Sequence, residues 1–226
     1  MEPELESLGE LPMIGTGDER GVTLVETMVA MLITSILLVA FYGFFFAFSD
    51  DVGRQERWAR TLEATRPVMA ELVLRLRQAV DVDGDGAIVD RLDSSWQDLE
   101  LVFFSDRFDA EGPERFRYHL EGCADGRCDL VVSITTADPG SGPDWTYTSV
   151  AHTRTLLENV VADGSPPLFV GVTTGPSGSS TITSCGGATP CDFERLRIVL
   201  RVDSDPLRAQ SPIVELFEEV RFRNAQ

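Results

Sequence analysis

Acidic side chains recur at alternate positions of the segment Asp81–Asp90, which reads DVDGDGAIVD. This spacing is typical of the start of an EF-hand-like calcium loop, in which carboxylates converge on the ion and Gly86 permits a sharp turn. The twelfth position is Leu92 rather than Glu, so Asp90 or Asp93 would complete the oxygen ligands. The ligands that the spacing predicts are Asp81, Asp83, Asp85, Ala87 and Asp90. The alternative is an acidic, solvated loop that ends the preceding helix without an ion.

Four cysteines form two closely spaced pairs, Cys123 with Cys128 and Cys185 with Cys191. Zinc sites usually need CxxC spacing and further ligands, and this chain has only two histidines. The pairs therefore favour two local disulfides in an oxidising compartment, with free thiols as the alternative. Each bridge would close a short loop, so its contribution to stability would be modest.

The sequence contains no recognisable catalytic motif: it has no G-x-S-x-G, no H-E-x-x-H and no phosphate-binding Gly-rich loop. His119 alternates with apolar neighbours and is expected to face solvent from a strand, and His152 is expected in a loop. The chain carries 37 acidic and 19 basic residues, a net charge of -18. That balance argues against phosphate contacts. We therefore expect neither catalysis nor direct nucleic-acid binding, and no cofactor other than the calcium ion.

One apolar run dominates the N-terminal part of the chain: Val22–Phe48 contains a single charged residue, Glu26. A helix needs about 20 apolar residues to cross a bilayer, so the run is long enough. Residues 1–21 are polar and acidic, and the small residue Gly21 precedes the run, unlike the cleavage site of a secretory signal. We expect the run to be retained as a transmembrane helix. Glu26 then needs a partner, because an unpaired carboxylate in hydrocarbon is costly.

Helical periodicity continues beyond the apolar run. Seven positions at three- and four-residue steps mark one face: Trp58, Leu62, Thr65, Met69, Leu72, Leu76 and Val80. Both parts together predict one helix of about 55 residues, which Gly43 and Pro67 could bend. The alternative is two helices with a break before Pro67.

After Val80 the period changes to two, which is typical of strands. The predicted strands are Leu99–Phe104, Arg115–Glu121, Asp129–Thr135, Thr155–Ala162, Leu168–Thr173, Phe193–Val202 and Ile213–Arg223. Strands without intervening helices indicate an antiparallel sheet. The predicted fold class is therefore α+β, with a long N-terminal helix packed on an antiparallel β-rich head. The predicted divisions are a leader at 1–21, the transmembrane helix at 22–48, its amphipathic continuation at 49–80 and the head at 81–226.

The segment Arg20–Glu26, which reads RGVTLVE, resembles the N-terminus of type IV prepilins, whose usual form is G-F-T-L-[IV]-E before an apolar helix. The resemblance implies that a membrane-embedded prepilin peptidase cleaves between Gly21 and Val22 and methylates the new N-terminal amine. It also implies that Glu26 pairs with the N-terminal ammonium of a neighbouring subunit during assembly. Such a pair would offset the desolvation of both charges and fix the axial register.

Within this pilin-like family the chain is similar to the larger minor pilins and the J-type pseudopilins of type II secretion, through Leu101–Asp106 and Arg115–Leu120. The resemblance implies a structural subunit of a type IV pilus or type II secretion-like filament. Its partners would be other pilins or pseudopilins, the prepilin peptidase and the membrane. The alternatives are a single-pass extracytoplasmic binding protein that is not cleaved, and a membrane-anchored enzyme.

The orientation of the head follows from two opposing signals. Arg54, Arg57 and Arg60 follow the apolar run and Arg20 precedes it, a balance that by itself would place the head in the cytoplasm. The cysteine pairs and the resemblance to prepilins favour the opposite orientation. We therefore expect a single-pass protein of the cytoplasmic (inner) membrane with an extracytoplasmic head, which later joins a filament at the cell surface.

Overall fold

The computed structural model describes residues 22–82, 84, 86–95, 99–106, 112–142, 144–163, 166–175, 178–186, 191–208 and 211–222. Within them the chain forms one helix, α1 (Leu24–Arg77), followed by eleven strands. The strands are β1 (Ala79–Val80), β2 (Val89–Asp93), β3 (Glu100–Ser105), β4 (Glu114–Ala124), β5 (Arg127–Thr135), β6 (Val150–Val161), β7 (Phe169–Gly175), β8 (Gly178–Ile182), β9 (Ser184–Gly186), β10 (Arg195–Asp203) and β11 (Ile213–Arg221). All pairings are antiparallel, which confirms the predicted α+β, pilin-like class. The chain divides into two units, residues 1–51 and 52–226.

Helix α1 runs through Pro67 without interruption, so the alternative of two helices broken before this residue is wrong. Proline lacks the N–H that would bond to the carbonyl of Glu63 one turn earlier. Both Pro67 and Glu63 are exposed, so water can satisfy that carbonyl. The neighbouring turns are fixed by buried side chains at Thr65 and Met69, which hold the helix in place on either side. Packing therefore offsets the lost hydrogen bond.

The strands of residues 52–226 form one sheet in the order β8-β7-β10-β6-β5-β4-β3-β2-β9, with β1 beside β3 and β11 beside β10. The two ends of this path are consecutive in the chain, because only Thr183 separates β8 from β9. The Ser94 N–H donates to the Thr183 carbonyl at 2.9 Å, next to the β2–β9 pairing. The sheet therefore closes on itself at this point.

The core lies between the sheet and one face of the second half of α1. Met69, Leu72, Val73 and Leu76 are buried on the helix. The largest fully buried side chains of the sheet are Phe103, Phe116, Tyr118, Phe169, Leu92, Leu101, Leu130, Leu196, Ile198 and Leu200. The predicted helical stripe is thus confirmed from Thr65 to Leu76.

The ends of the stripe differ from the prediction. Trp58 is 43% exposed. Val80 is not helical: α1 ends at Arg77, and Val80 pairs in β1 with Phe104 of β3. An apolar pair such as Ala79–Val80 satisfies either period, so spacing alone could not separate a last helical turn from a first strand.

All seven predicted strands are present, and β1, β2, β8 and β9 are additional. The Gly/Ser-rich segment Gly175–Ser180 lies outside the predicted strands, yet Gly178–Ile182 pairs with β7. The side chains along β8 are mostly exposed hydroxyls, so the sequence shows no alternation of apolar and polar residues there. His152 also lies in a strand rather than in a loop, opposite Ile134 in the β5–β6 pairing. Strand β6 also begins earlier than predicted. Its first six residues are all exposed, so no buried face marked the start of the strand in the sequence.

Trp145 packs closely against two glycines of the head. A Cβ placed on Gly112 would lie 2.5 Å from its ring, and one placed on Gly142 would lie 2.6 Å from it. Both glycines are therefore needed for the close approach.

Candidate processing and assembly segment

Helix α1 begins with a capping arrangement in the motif region. Val22 and Thr23 precede the first helical residue, Leu24. The Glu26 N–H donates to the Thr23 hydroxyl oxygen at 3.2 Å, and the Thr27 N–H donates to the Thr23 carbonyl at 3.2 Å. Thr23 is thus the N-cap, which satisfies one of the orphan donors at the helix start. The T-x-x-E spacing of a capping box was visible in the sequence, and Thr23 is the residue that sequence reasoning missed.

Glu26 occupies the first turn of α1 and is exposed. The partial positive charge of a helix N-terminus stabilises a carboxylate in this position. Of the predicted site residues, Val22 is 70% exposed and Gly21 lies outside the described residues. The part of the segment that the structure describes therefore presents a non-helical residue, a cap and a carboxylate in succession.

Every residue from Val22 to Val52 is exposed, including the apolar ones. Three hydroxyls bond within the helix: Thr27 to the Leu24 carbonyl at 2.8 Å, Ser35 to Met31 at 2.7 Å and Ser49 to Phe45 at 2.9 Å. A helix that is apolar all round is suited to lipid or to a bundle, and these hydroxyls satisfy the rule that polar groups in lipid bond internally. By length and composition α1 can cross a membrane.

Aromatic side chains concentrate at the C-terminal end of the apolar run. They are Phe41, Tyr42, Phe44, Phe45, Phe46 and Phe48. Phe44 and Phe48 stack with ring centroids 6.2 Å apart, as expected one turn apart on a helix. Tyr42 carries the one polar tip among these rings. Tyr42 is therefore the one ring of these six that is amphipathic, as the rings that anchor helices at a membrane interface are.

The segment Asp81–Asp90 is organised around its first carboxylate. The Gly84 N–H donates to Asp81 Oδ1 at 2.8 Å, and the Gly86 N–H donates to Asp81 Oδ2 at 2.9 Å. Asp83 and Asp85 lie outside the described residues. The described residues contain no cluster of three or more metal-ligating side chains. The calcium site, with Ala87 and Asp90 as its remaining ligands, stays a prediction.

Both cysteine pairs form disulfides, Cys123–Cys128 and Cys185–Cys191. The first flanks the Asp125–Gly126 turn of the β4–β5 hairpin, where both turn residues have positive φ. Asp-Gly is a preferred pair for such two-residue turns. The second ties the closing strand β9 to the segment that leads into β10.

His119 does not face solvent as predicted, because it is buried with 8% exposure. Its Nε2 lies 2.8 Å from Glu121 Oε1 on the same strand. The strand β4 pairs on both sides, with β3 and with β5, so an alternating polar residue can be covered by neighbouring side chains. Alternation showed which face His119 lies on but not whether that face is covered.

The family model of the prokaryotic N-terminal methylation motif matches residues 17–42. No curated protein and no solved structure matches the chain. The matched residues include Gly21, the Thr23 cap, Glu26 and most of the exposed apolar helix. The motif implies processing by a prepilin peptidase and association with a membrane, and it points to a structural subunit. The chain therefore carries the prepilin signature of the type IV pilin-like proteins.

Proposed function

We propose that this protein is a minor pilin or pseudopilin, a structural subunit of a type IV pilus or type II secretion-like filament. The observation that carries the proposal is the N-terminal segment: a capped helix with Glu26 in its first turn and no buried residue from Val22 to Val52. Such a helix leaves its whole apolar surface for lipid and then for neighbouring helices.

Cleavage takes place between Gly21 and Val22, and the new Val22 amine is methylated. The helix starts at Leu24, so the residue on the C-terminal side of this bond has no helical hydrogen bond to break. A glycine on the other side has no Cβ, which lets the backbone enter a narrow active site. The division of the chain then follows: a leader at 1–21, a membrane and assembly helix at 22–48, its continuation at 49–80 and a head at 81–226.

Glu26 sets the position of the subunit in the filament. A carboxylate without a partner in hydrocarbon is costly, and the ammonium of a neighbouring Val22 is a suitable counter-charge. Removing Glu26 would leave that ammonium uncompensated. The pair thus fixes the axial register between two subunits whose other contacts in this segment are apolar.

The head is extracytoplasmic, and the protein is a single-pass protein of the inner membrane before assembly. Two disulfides support this orientation, because such bonds persist in oxidising compartments. The head comprises all residues from 81 to 226, a large part for a main filament subunit, which favours a minor or tip position. Its contacts are with other pilins or pseudopilins, without direct nucleic-acid binding.

The N-terminal mass of the chain purified from membranes tests the proposal. With an active prepilin peptidase we expect a chain that begins at methylated Val22, and Gly21→Val should leave the leader attached. A chain that retains Met1–Gly21 while the peptidase processes another substrate in the same cells would favour the uncleaved binding protein.

Assembly is tested separately with Glu26→Gln. We expect normal cleavage and loss of incorporation into filaments, because the neutral amide cannot pair with the ammonium. Thr27→Val is the matched control, since the Thr27 hydroxyl already bonds within its own helix. Equal incorporation of Glu26→Gln and Thr27→Val would overturn the assembly role of Glu26.

A further inference from the structure

Strand β11 forms a long free edge of the sheet. It pairs with β10 along its whole length, from Ile213 opposite Asp203 to Arg221 opposite Arg195. In the described residues no strand lies on its other side. The path of the sheet closes at β8 and β9, so β11 is a nine-residue strand that this closure does not protect. Free edges of this kind are templates for pairing with another chain.

The direction of the free backbone groups follows from the bonds at the two ends of the pairing. The Phe222 N–H donates to the Glu194 carbonyl at 3.3 Å, and the Ser204 N–H donates to the Pro212 carbonyl at 3.2 Å. Even-numbered residues of β11 are therefore the hydrogen-bonded ones, because the two kinds of position alternate in an antiparallel pair. The N–H and C=O groups of the odd-numbered residues point away from β10.

Several side chains of β11 are exposed, and arginines of β10 neutralise its acidic residues only in part. Phe217 is 56% exposed, with the Arg197 guanidinium 5.6 Å from its ring centroid. Glu219 is held by Arg195 at 2.6 Å. Glu215 lies 3.9 Å from the nearest atom of Arg201, a long contact.

At the other end of the same strand, Arg221 is exposed and makes no ion pair within the described residues. Glu215 and Arg221 both carry outward backbone groups and have opposite charges. Their separation along β11 makes the strand complementary to an antiparallel copy of itself.

We infer that β11 is the pairing edge for a second copy of this chain. In an antiparallel arrangement Glu215 of each copy lies opposite Arg221 of the other, and Phe217 lies opposite Glu219. Every outward N–H and C=O from Glu215 to Arg221 then gains a partner across the interface. The two Glu–Arg pairs are related by a two-fold axis, as expected of a closed dimer.

The charges favour this register over the one centred on Phe217. Pairing centred on Phe217 would place Glu215 opposite Glu219 twice, and like charges directly opposite are destabilising. In the proposed register one like-charged contact remains, between the two copies of Glu218 at the two-fold axis. Both Glu218 side chains are exposed. We therefore expect that removing their negative charge strengthens the pairing.

Two copies in one bilayer have a high effective concentration, so a short edge contact can be populated without a large interface wherever the orientation of the heads lets the two β11 edges meet. The pairing concerns the head alone and does not depend on whether the chain enters a filament.

Charge exchange tests the interface in the full chain, reconstituted in liposomes at a fixed protein-to-lipid ratio and measured by energy transfer between labelled copies. Glu215→Arg and Arg221→Glu each place like charges opposite, and each should weaken association by about ten-fold. The double variant restores opposite charges and should recover the parental value. Glu218→Gln should associate more tightly than the parent. Association through the apolar helices alone would leave all four variants equal to the parent and would overturn the inference.

Backbone substitution provides a second test that does not rely on charge. Glu215→Pro removes an outward N–H and should leave the fold intact while it abolishes head pairing. Leu216→Pro removes an inward N–H that faces β10, and it should destabilise the head itself. Head pairing that persists in a folded Glu215→Pro protein would show that β11 is not the contact.

Discussion

The two halves of α1 follow opposite rules. From Val22 to Asp51 every side chain is exposed and most are apolar. From Val52 to Arg77 one stripe, Thr65, Met69, Leu72, Val73 and Leu76, is buried against the sheet. The second half is therefore stabilised by its own chain, whereas the apolar area of the first half stays exposed. One continuous helix thus combines a half that its own chain covers with a half that the chain leaves uncovered.

The largest expected effect on stability comes from shortening one leucine side chain in each half of α1, and it tests the difference between the halves directly. Leu72 is fully buried, and Leu72→Ala should lower the free energy of unfolding of the head by about 2–5 kcal/mol. Leu32 is 62% exposed, and Leu32→Ala should change it by less than about 0.5 kcal/mol. Urea unfolding of both proteins in detergent, followed by near-UV circular dichroism, measures the difference. Equal losses would show that the first half is also stabilised by the head.

The next effect concerns the head alone. Replacing Cys185 and Cys191 with Ser removes a disulfide that closes a short loop, and it should cost the head about 2 kcal/mol in the free energy of unfolding. The bridge lies outside the apolar half, so membrane retention after alkaline extraction should not change. Loss of retention in this variant would show that the apolar half depends on the head. Replacement of Cys123 and Cys128 with Ser, which keeps the Cys185–Cys191 bridge, serves as the matched control.

A smaller effect depends on pH. Burial by itself would raise the pKa of Asp203, but bonds from the Ser211 hydroxyl, the Asp205 N–H and the Arg127 guanidinium outweigh it and lower that pKa. A lowered folded-state pKa stabilises the head above the ordinary value of 3.8, and this contribution is lost as the pH falls through the folded value. Asp203→Asn should cost about 1–2 kcal/mol at pH 7 and remove this part of the acid dependence. A variant that loses stability with acid as the parent does would refute the assignment.

The smallest effect would come from calcium. If Asp81–Asp90 binds the ion with millimolar affinity, millimolar calcium should add about 0.5 kcal/mol to head stability and raise Tm by about 1–2 °C. Asp83→Ala should abolish the shift, and Asp144→Ala, an acidic change outside the loop, should preserve it. Thermal unfolding with calcium and with chelator measures both. A parent protein whose Tm is the same in both conditions has no such site.

Local pattern predicted most of the elements, because burial and period coincide in them. The apolar run, the stripe from Thr65 to Leu76 and the seven main strands each repeat a residue type at a fixed step. The cap at Thr23 was missed, although its T-x-x-E spacing is a local pattern that the sequence shows. The burial of His119 depends on neighbours from two other strands, and the pairing of β8 depends on β7, so neither was accessible from adjacent residues. The closure of the sheet is likewise a property of the whole chain.

The direct connection of β8 to β9 through Thr183 affects how the head unfolds locally. Strand β8 cannot leave β7 without displacing β9, because one residue joins them, and the Cys185–Cys191 bridge connects β9 to the approach to β10. Local fraying at this place therefore propagates in both directions around the sheet. The amides of β7, β8, β9 and β2 should consequently exchange with solvent as one cooperative unit, with similar opening free energies. Short strands rich in Ser and Gly would then show the same protection as the apolar strands beside them.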